Sequence, residues 1–163
     1  MRIMTVGVYG HSEESFFSAL EQAGIDVFVD TRRRRAVRGH EYAFANSNRL
    51  QERLAAMGIR YVHRLDLAPP MALVKAEDAQ TKAQGIRRSD RMALSPGLIA
   101  GYTSQVLDGL DSAAFVASLG EPAEAILLFC IERVPEACHR SLLADHLAKD
   151  LGAEVEHILP PDS

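Results

Sequence analysis

Three short stretches of this sequence carry the residue types that hold anions or move protons. The richest is Cys130-Ile131-Glu132-Arg133 followed by Cys138-His139-Arg140. Cys138 stands at the start of a helical pattern and beside His139, surroundings that lower a thiol pKa. It can act as a nucleophile with His139 or His11 as its base. It can equally pack as a small buried residue, and Cys130, at the end of an apolar run, reads as core. His139 and Arg140 put positive charge in the first turn of the helix, where the dipole disfavours it by about 0.3–1 kcal/mol. A bound anion reverses that cost. The alternative is an ion pair of Arg140 with Glu136, four residues earlier, or with Asp30.

The second stretch is Asp30-Thr31-Arg32, continuing through Arg33, Arg34 and Arg35 to Arg38. Asp30, at a strand end, can orient a guanidinium or accept a proton. Arginine forks suit phosphate and carboxylate oxygens, and Arg32 lies nearest the strand end. The other arginines read as a solvated loop whose ion pairs are each worth little. The third stretch is Gly10-His11-Ser12, where free backbone N–H groups at a helix start attract anions; a plain turn capped by Ser12 is the competing reading. The candidate set is therefore His11, Asp30, Cys138 and His139 for catalysis, with Ser12, Arg32 and Arg140 for anion binding. Cys130, Cys138, His139 and His11 offer soft or borderline metal ligands, but the gap between the cysteines is not a zinc-knuckle spacing. No metal is assigned on that basis. A glycine-rich phosphate loop is absent, so no nucleotide cofactor is expected.

The elements that must position these residues follow from hydrophobic periodicity. Strands are expected at Ile3–Val8, Ile25–Asp30, Ile59–His63, Ala125–Cys130 and Glu154–Ile158. Helices are expected from Ser12 through Ala23, after Asn46 or Ser47, after Ser95-Pro96, after Asp111, and from Cys138 to Leu151, with Gly24, Gly58, Gly120 and Gly152 as stops. Asp66 to Leu94 is mixed in pattern and reads as a long connection with some helix. Alternating strands and helices imply an α/β three-layer sandwich, Rossmann-like, with a mostly parallel sheet of about five strands. Strand order 3-2-1-4-5 is expected. Ligands of such sheets bind beyond the carboxyl ends of the strands at the switch point, and all three stretches fall there.

The chain of 163 residues, 47% hydrophobic and 25% charged, fits one domain, 1–163. No apolar run approaches a membrane span, and the N-terminus lacks the features of a signal peptide. Two cysteines are too few for a disulfide framework, so a soluble cytoplasmic protein with reduced thiols is expected. A net charge of −4 argues against a protein that coats nucleic acid over its whole surface.

Gly7 to Ser12, Asp30-Thr31-Arg32, Gly58-Ile59-Arg60-Tyr61-Val62-His63, and Cys130-Ile131-Glu132-Arg133 with Cys138-His139-Arg140-Ser141-Leu142-Leu143 together resemble the domain-of-unknown-function family numbered 488. The resemblance implies a bacterial or archaeal cytosolic α/β protein and leaves the activity open. Gly10-His11-Ser12 follows the family pattern. Arg34-Arg35-Ala36-Val37 stands where the family often has prolines.

Three functions compete. The first is an enzyme or binder acting on a small phosphate- or nucleotide-like anion. The second is a nucleic-acid module using Arg32 to Arg38 with Arg87, Arg88 and Arg91; Tyr42 and Phe44 are too few aromatics for a stacking platform. The third is a metal or redox sensor built on Cys138 and His139. The first ranks highest.

Overall fold

The computed structural model describes residues 1–162. Five strands form one all-parallel sheet: β1 (Arg2–Val6), β2 (Val27–Asp30), β3 (Arg60–His63), β4 (Ala125–Phe129) and β5 (Glu154–Ile158). Six α-helices connect them: α1 (Glu13–Ala23), α2 (Ser47–Ala56), α3 (Met71–Ala83), α4 (Pro96–Tyr102), α5 (Ser112–Ser118) and α6 (His139–Leu151). A π-helical turn, Thr103–Leu107, continues α4. Among the described residues no helix is long and apolar enough to cross a membrane.

The strand order is β3-β2-β4-β1-β5, not the expected 3-2-1-4-5. β4 inserts between β1 and β2. Its Ala-Ile-Leu-Leu-Phe run is buried at every position, whereas β1 begins with an exposed Arg2. The most uniformly apolar strand takes the centre, where both faces and both edges are covered.

Side chains alternate across the sheet. Leu127 and Phe129 of β4 pack with Phe16, Phe17 and Leu20 of α1 and Leu50 and Leu54 of α2. Ile126 and Leu128 pack on the other face with Leu98 and Tyr102 of α4, Phe115 of α5, and Leu143 and Leu147 of α6. The helices following β1 and β2 therefore cover one face, and those preceding and following β4 cover the other. The loop leaving β4 departs to the face opposite the loops leaving its two neighbours. In doubly wound sheets such a reversal marks the place where a carboxyl-end crevice forms, here around β4.

Local signals set the helix that borders this crevice. Ser12 accepts a hydrogen bond from the Ser15 N–H at 3.0 Å, and Ser15 Oγ accepts one from the Ser12 N–H at 3.0 Å. This reciprocal cap fixes the start of α1. Ser95 and Asp111 cap α4 and α5 as their sequence positions imply.

The ambiguous stretch before Leu94 folds as a cover. α3 is tied to the start of α4 by Glu77, whose carboxylate accepts the Ser95 N–H at 2.8 Å. The turn after α3 sends Arg88 Nε to Glu132 Oε1 at 2.8 Å and Arg91 Nη2 to Asp78 Oδ1 at 2.9 Å. Leu94 N–H donates to the Glu136 carbonyl at 3.1 Å. The connection thus lies over the loop that leaves β4.

Candidate functional site

The three stretches converge at the carboxyl ends of β1, β2 and β4. Beyond their paired ends, β1 and β4 stay joined: Val8 N–H and Tyr9 N–H both donate to the Ile131 carbonyl, at 2.9 and 3.1 Å. Gly7 makes this approach possible. A Cβ there would lie 1.8 Å from the Glu132 carbonyl oxygen.

Across that junction runs Arg140, fully buried in the first turn of α6. Its Nη1 donates to the Glu132 carbonyl at 2.7 Å and its Nη2 to the Arg133 carbonyl at 3.4 Å. Its Nε has no partner, and among the described residues no carboxylate forms an ion pair with it. Neither Glu136 nor Asp30 takes the role that the sequence offered them.

His11 stands close enough to feel that charge. Burial, then Arg140 and Arg133, lower its pKa to about 4, so the ring is neutral at pH 7. Its Nδ1 lies 3.0 Å from Ser15 Oγ, and its buried Nε2 has no partner.

Beside Arg140, a second group of side chains faces inward. His139 Nδ1 lies 3.7 Å from Cys130 Sγ and 3.7 Å from Cys138 Sγ. The three potential ligand atoms are all within 4.8 Å of one another. His139 Nε2 lies 2.9 Å from Thr31 Oγ1, which itself donates to the Phe129 carbonyl at 2.9 Å. A carbonyl can only accept, so the hydroxyl hydrogen is committed to it. Nε2–H must therefore donate to Thr31, which leaves Nδ1 to face the two sulfurs. The ring also packs edge-on against Tyr102, at 5.4 Å between centroids. Both cysteines are free and buried. Burial pushes the Cys138 thiol up; the hydrogen bond with Cys130, the contact with the His139 ring and the charge of Arg140 outweigh this and hold it well below its usual value. The bond to Cys138, with burial, holds Cys130 well above.

Residues 12–147 fit the model of the family described as Domain of unknown function DUF488. The chain belongs to this family. No match emerged among curated proteins or among solved structures. The DUF488 span runs from the cap of α1 through the middle of α6. It includes Asp30 to Arg32 and Cys130 to Arg140, while Gly7 and His11 fall just ahead of it.

In this DUF488 chain the remaining candidates divide. Asp30 and Arg32 satisfy each other: Arg32 Nε and Nη2 donate to the two Asp30 oxygens at 2.9 Å each, and the Arg32 N–H adds a bond of 3.1 Å. Tyr61 Oη donates to Asp30 Oδ2 at 2.6 Å, and the guanidinium lies 4.6 Å from the Phe129 ring centroid. Only Arg32 Nη1 is left without a partner. This pair braces the end of β2. Ser12 is occupied as a helix cap. Arg33, Arg34 and Arg38 are exposed.

Sequence reasoning passed over Thr31, Glu132 and Tyr102. Glu132 is buried, pairs through Oε1 with Arg88, and leaves Oε2 without a partner; burial raises its pKa against the pull of Arg88. Its position two residues beyond an apolar strand was the available signal.

Proposed function

We propose that the protein is an enzyme or receptor for a small phosphate-like anion, held at the carboxyl ends of β1 and β4 by Arg140 with His11 at its side. One observation carries the reading: Arg140 is a fully buried cation with two carbonyl contacts and no opposing carboxylate among the described residues. Burying a guanidinium with no carboxylate partner costs several kcal/mol. An anion at this place removes that cost and gives the open Arg140 Nε a partner. The N-terminus of α6 adds its partial positive charge. His11 supplies a neutral imidazole with a free nitrogen beside the same guanidinium.

The nucleic-acid reading loses support because its second basic group is already engaged. Arg87 pairs with Asp90, Arg88 with Glu132 and Arg91 with Asp78.

The test is a thermal-shift panel of phosphate, sulfate, sugar phosphates, nucleotides and short oligonucleotides on the wild type and Arg140→Ala. A ligand at about 100 times its Kd adds roughly 2.7 kcal/mol. At about 2–4 °C per kcal/mol for a chain of this size, that is roughly 5–11 °C. A small anion should stabilise the wild type and not the variant. If no small anion stabilises the wild type, or only oligonucleotides do, the reading is wrong.

A further inference from the structure

We infer that Cys130, Cys138 and His139 form a binding site for a thiophilic divalent metal ion, zinc above all, with a fourth position open to a small exogenous ligand. Three independent features meet here. The first is spacing. A zinc ion bound tetrahedrally at about 2.3 Å to sulfur and about 2.0–2.1 Å to nitrogen holds its sulfur and nitrogen ligands roughly 3.5 Å apart. Both sulfur–nitrogen distances in the protein are 3.7 Å. Small side-chain adjustments close that difference.

The second feature is the outer shell. Metal-bound histidines donate their other ring N–H to a fixed acceptor, which sets both the tautomer and the ring plane. Here Thr31 is that acceptor, and it is fixed in turn by its bond to the Phe129 carbonyl at the end of β4. Nδ1 is therefore presented toward the sulfurs by two successive constraints. Tyr102 supports the ring from the side, with its hydroxyl held by the Leu67 carbonyl at 2.7 Å.

The third feature is the donor set. Two thiolates neutralise a divalent ion, and two sulfurs with one imidazole are the ligands that zinc prefers over harder cations. Cys130, Cys138 and His139 are 5%, 2% and 6% exposed, so the ion would sit out of bulk water. Among the described residues no other histidine, cysteine or acid joins the group. Three protein ligands with one open position is the arrangement of catalytic rather than structural zinc. Water or a small anion completes it, and the identification of that anion with the one drawn to Arg140 rests on the function proposed above. The sequence offers these three residues as soft ligands without a zinc-knuckle spacing, because a strand end and a helix start bring them together across a loop.

The experiment uses the full chain, freed of any histidine tag, stripped with a chelator, and titrated with Co²⁺ while the absorption spectrum is followed. The expected result is a single equivalent bound, with thiolate-to-cobalt charge transfer in the near ultraviolet and intense visible bands of tetrahedral cobalt, all lost on adding Zn²⁺. Cys138→Ser should abolish most of the charge transfer. Thr31→Val, which touches no sulfur, should weaken Co²⁺ binding by about 10–100-fold while leaving the band shape unchanged. A natively folded wild type, checked by circular dichroism, that shows no charge transfer at millimolar Co²⁺ overturns the inference. Failure of the anion reading looks different: the cobalt bands form, but phosphate changes neither them nor the melting temperature. A phosphate-induced thermal shift in a protein that never shows the bands would retain the anion site and remove the metal.

Discussion

Gly7→Ala should collapse the site from outside it. The alanine Cβ would lie 1.8 Å from the Glu132 carbonyl oxygen, 2.9 Å from its carbon and 3.1 Å from Arg140 Nη1. Two of these are backbone atoms, so no side-chain rotation relieves the contact. The carbonyl must retreat, and with it goes the 2.7 Å bond from Arg140. Forcing extra volume into a packed region costs about 1–3 kcal/mol. Losing a hydrogen bond from a charged donor costs about 1.5–3 kcal/mol. Stiffening the unfolded chain returns about 0.4–1 kcal/mol. The sum is a destabilisation of about 3 kcal/mol, or roughly 6–12 °C in Tm. Urea unfolding followed by circular dichroism reads this as a fall in midpoint at unchanged m. Gly109→Ala is the internal control, since no heavy atom lies within 4 Å of its added Cβ; it should stay within about 0.5 kcal/mol of wild type or gain slightly. A Gly7→Ala protein as stable as the Gly109→Ala protein would refute the claim that β1 and the loop after β4 meet at van der Waals contact through Gly7.

Two further outcomes follow from the buried polar groups. Asp30→Asn removes the charge opposite Arg32 in a pair that is almost wholly buried, and should cost about 3–5 kcal/mol, while the double variant Asp30→Asn/Arg32→Met recovers most of it; single and double variants of equal stability in urea would show that the pair is not the brace described. His11 has a pKa of about 4 in the folded chain against 6.5 unfolded, so between those values the unfolded state binds more protons and stability rises with pH. That contribution, on the order of 2 kcal/mol, is complete above about pH 6.5 and disappears as the pH falls toward 4; unfolding free energies at pH 4.5 and 7 should differ more for wild type than for His11→Gln, and equal differences would remove His11 from the buried site.

Element types were legible because short-range signals were strong. The Ser12 cap, the Ser95-Pro96 start and the Asp111 cap each fix a helix locally, and the apolar run at β4 needs burial on both faces. Strand order was not legible, because β1, β2 and β4 are all apolar enough for the interior and neighbour choice depends on long-range packing. The loops of the site could be named from the rule that ligands lie beyond strand ends. The division of labour among their side chains could not. Asp30 and Arg32 are two residues apart and either could face a ligand; only the fold shows their forks closed on one another. Cys130 reads as core by its run, yet its sulfur meets His139 because β4 ends where α6 begins. Arg140 could have faced an anion or paired with Glu136 or Asp30; only the fold shows it on carbonyls that a glycine just past β1 allows to come close.

The position of β1 in the sheet has a consequence for biosynthesis. Its partners run Arg2 with Ala125 and with Glu154, through Val6 with Phe129 and with Ile158. β1, made before the other four strands of the sheet, therefore has no neighbour until β4 is made. During that interval Ile3, Met4 and Val6, fully buried in the finished protein, are presented on an unpaired strand, the state most prone to pair with another chain. Pairings this distant in sequence also slow folding after release. The nascent chain is thus most in need of protection at β1, throughout the synthesis of the central part of this domain up to β4.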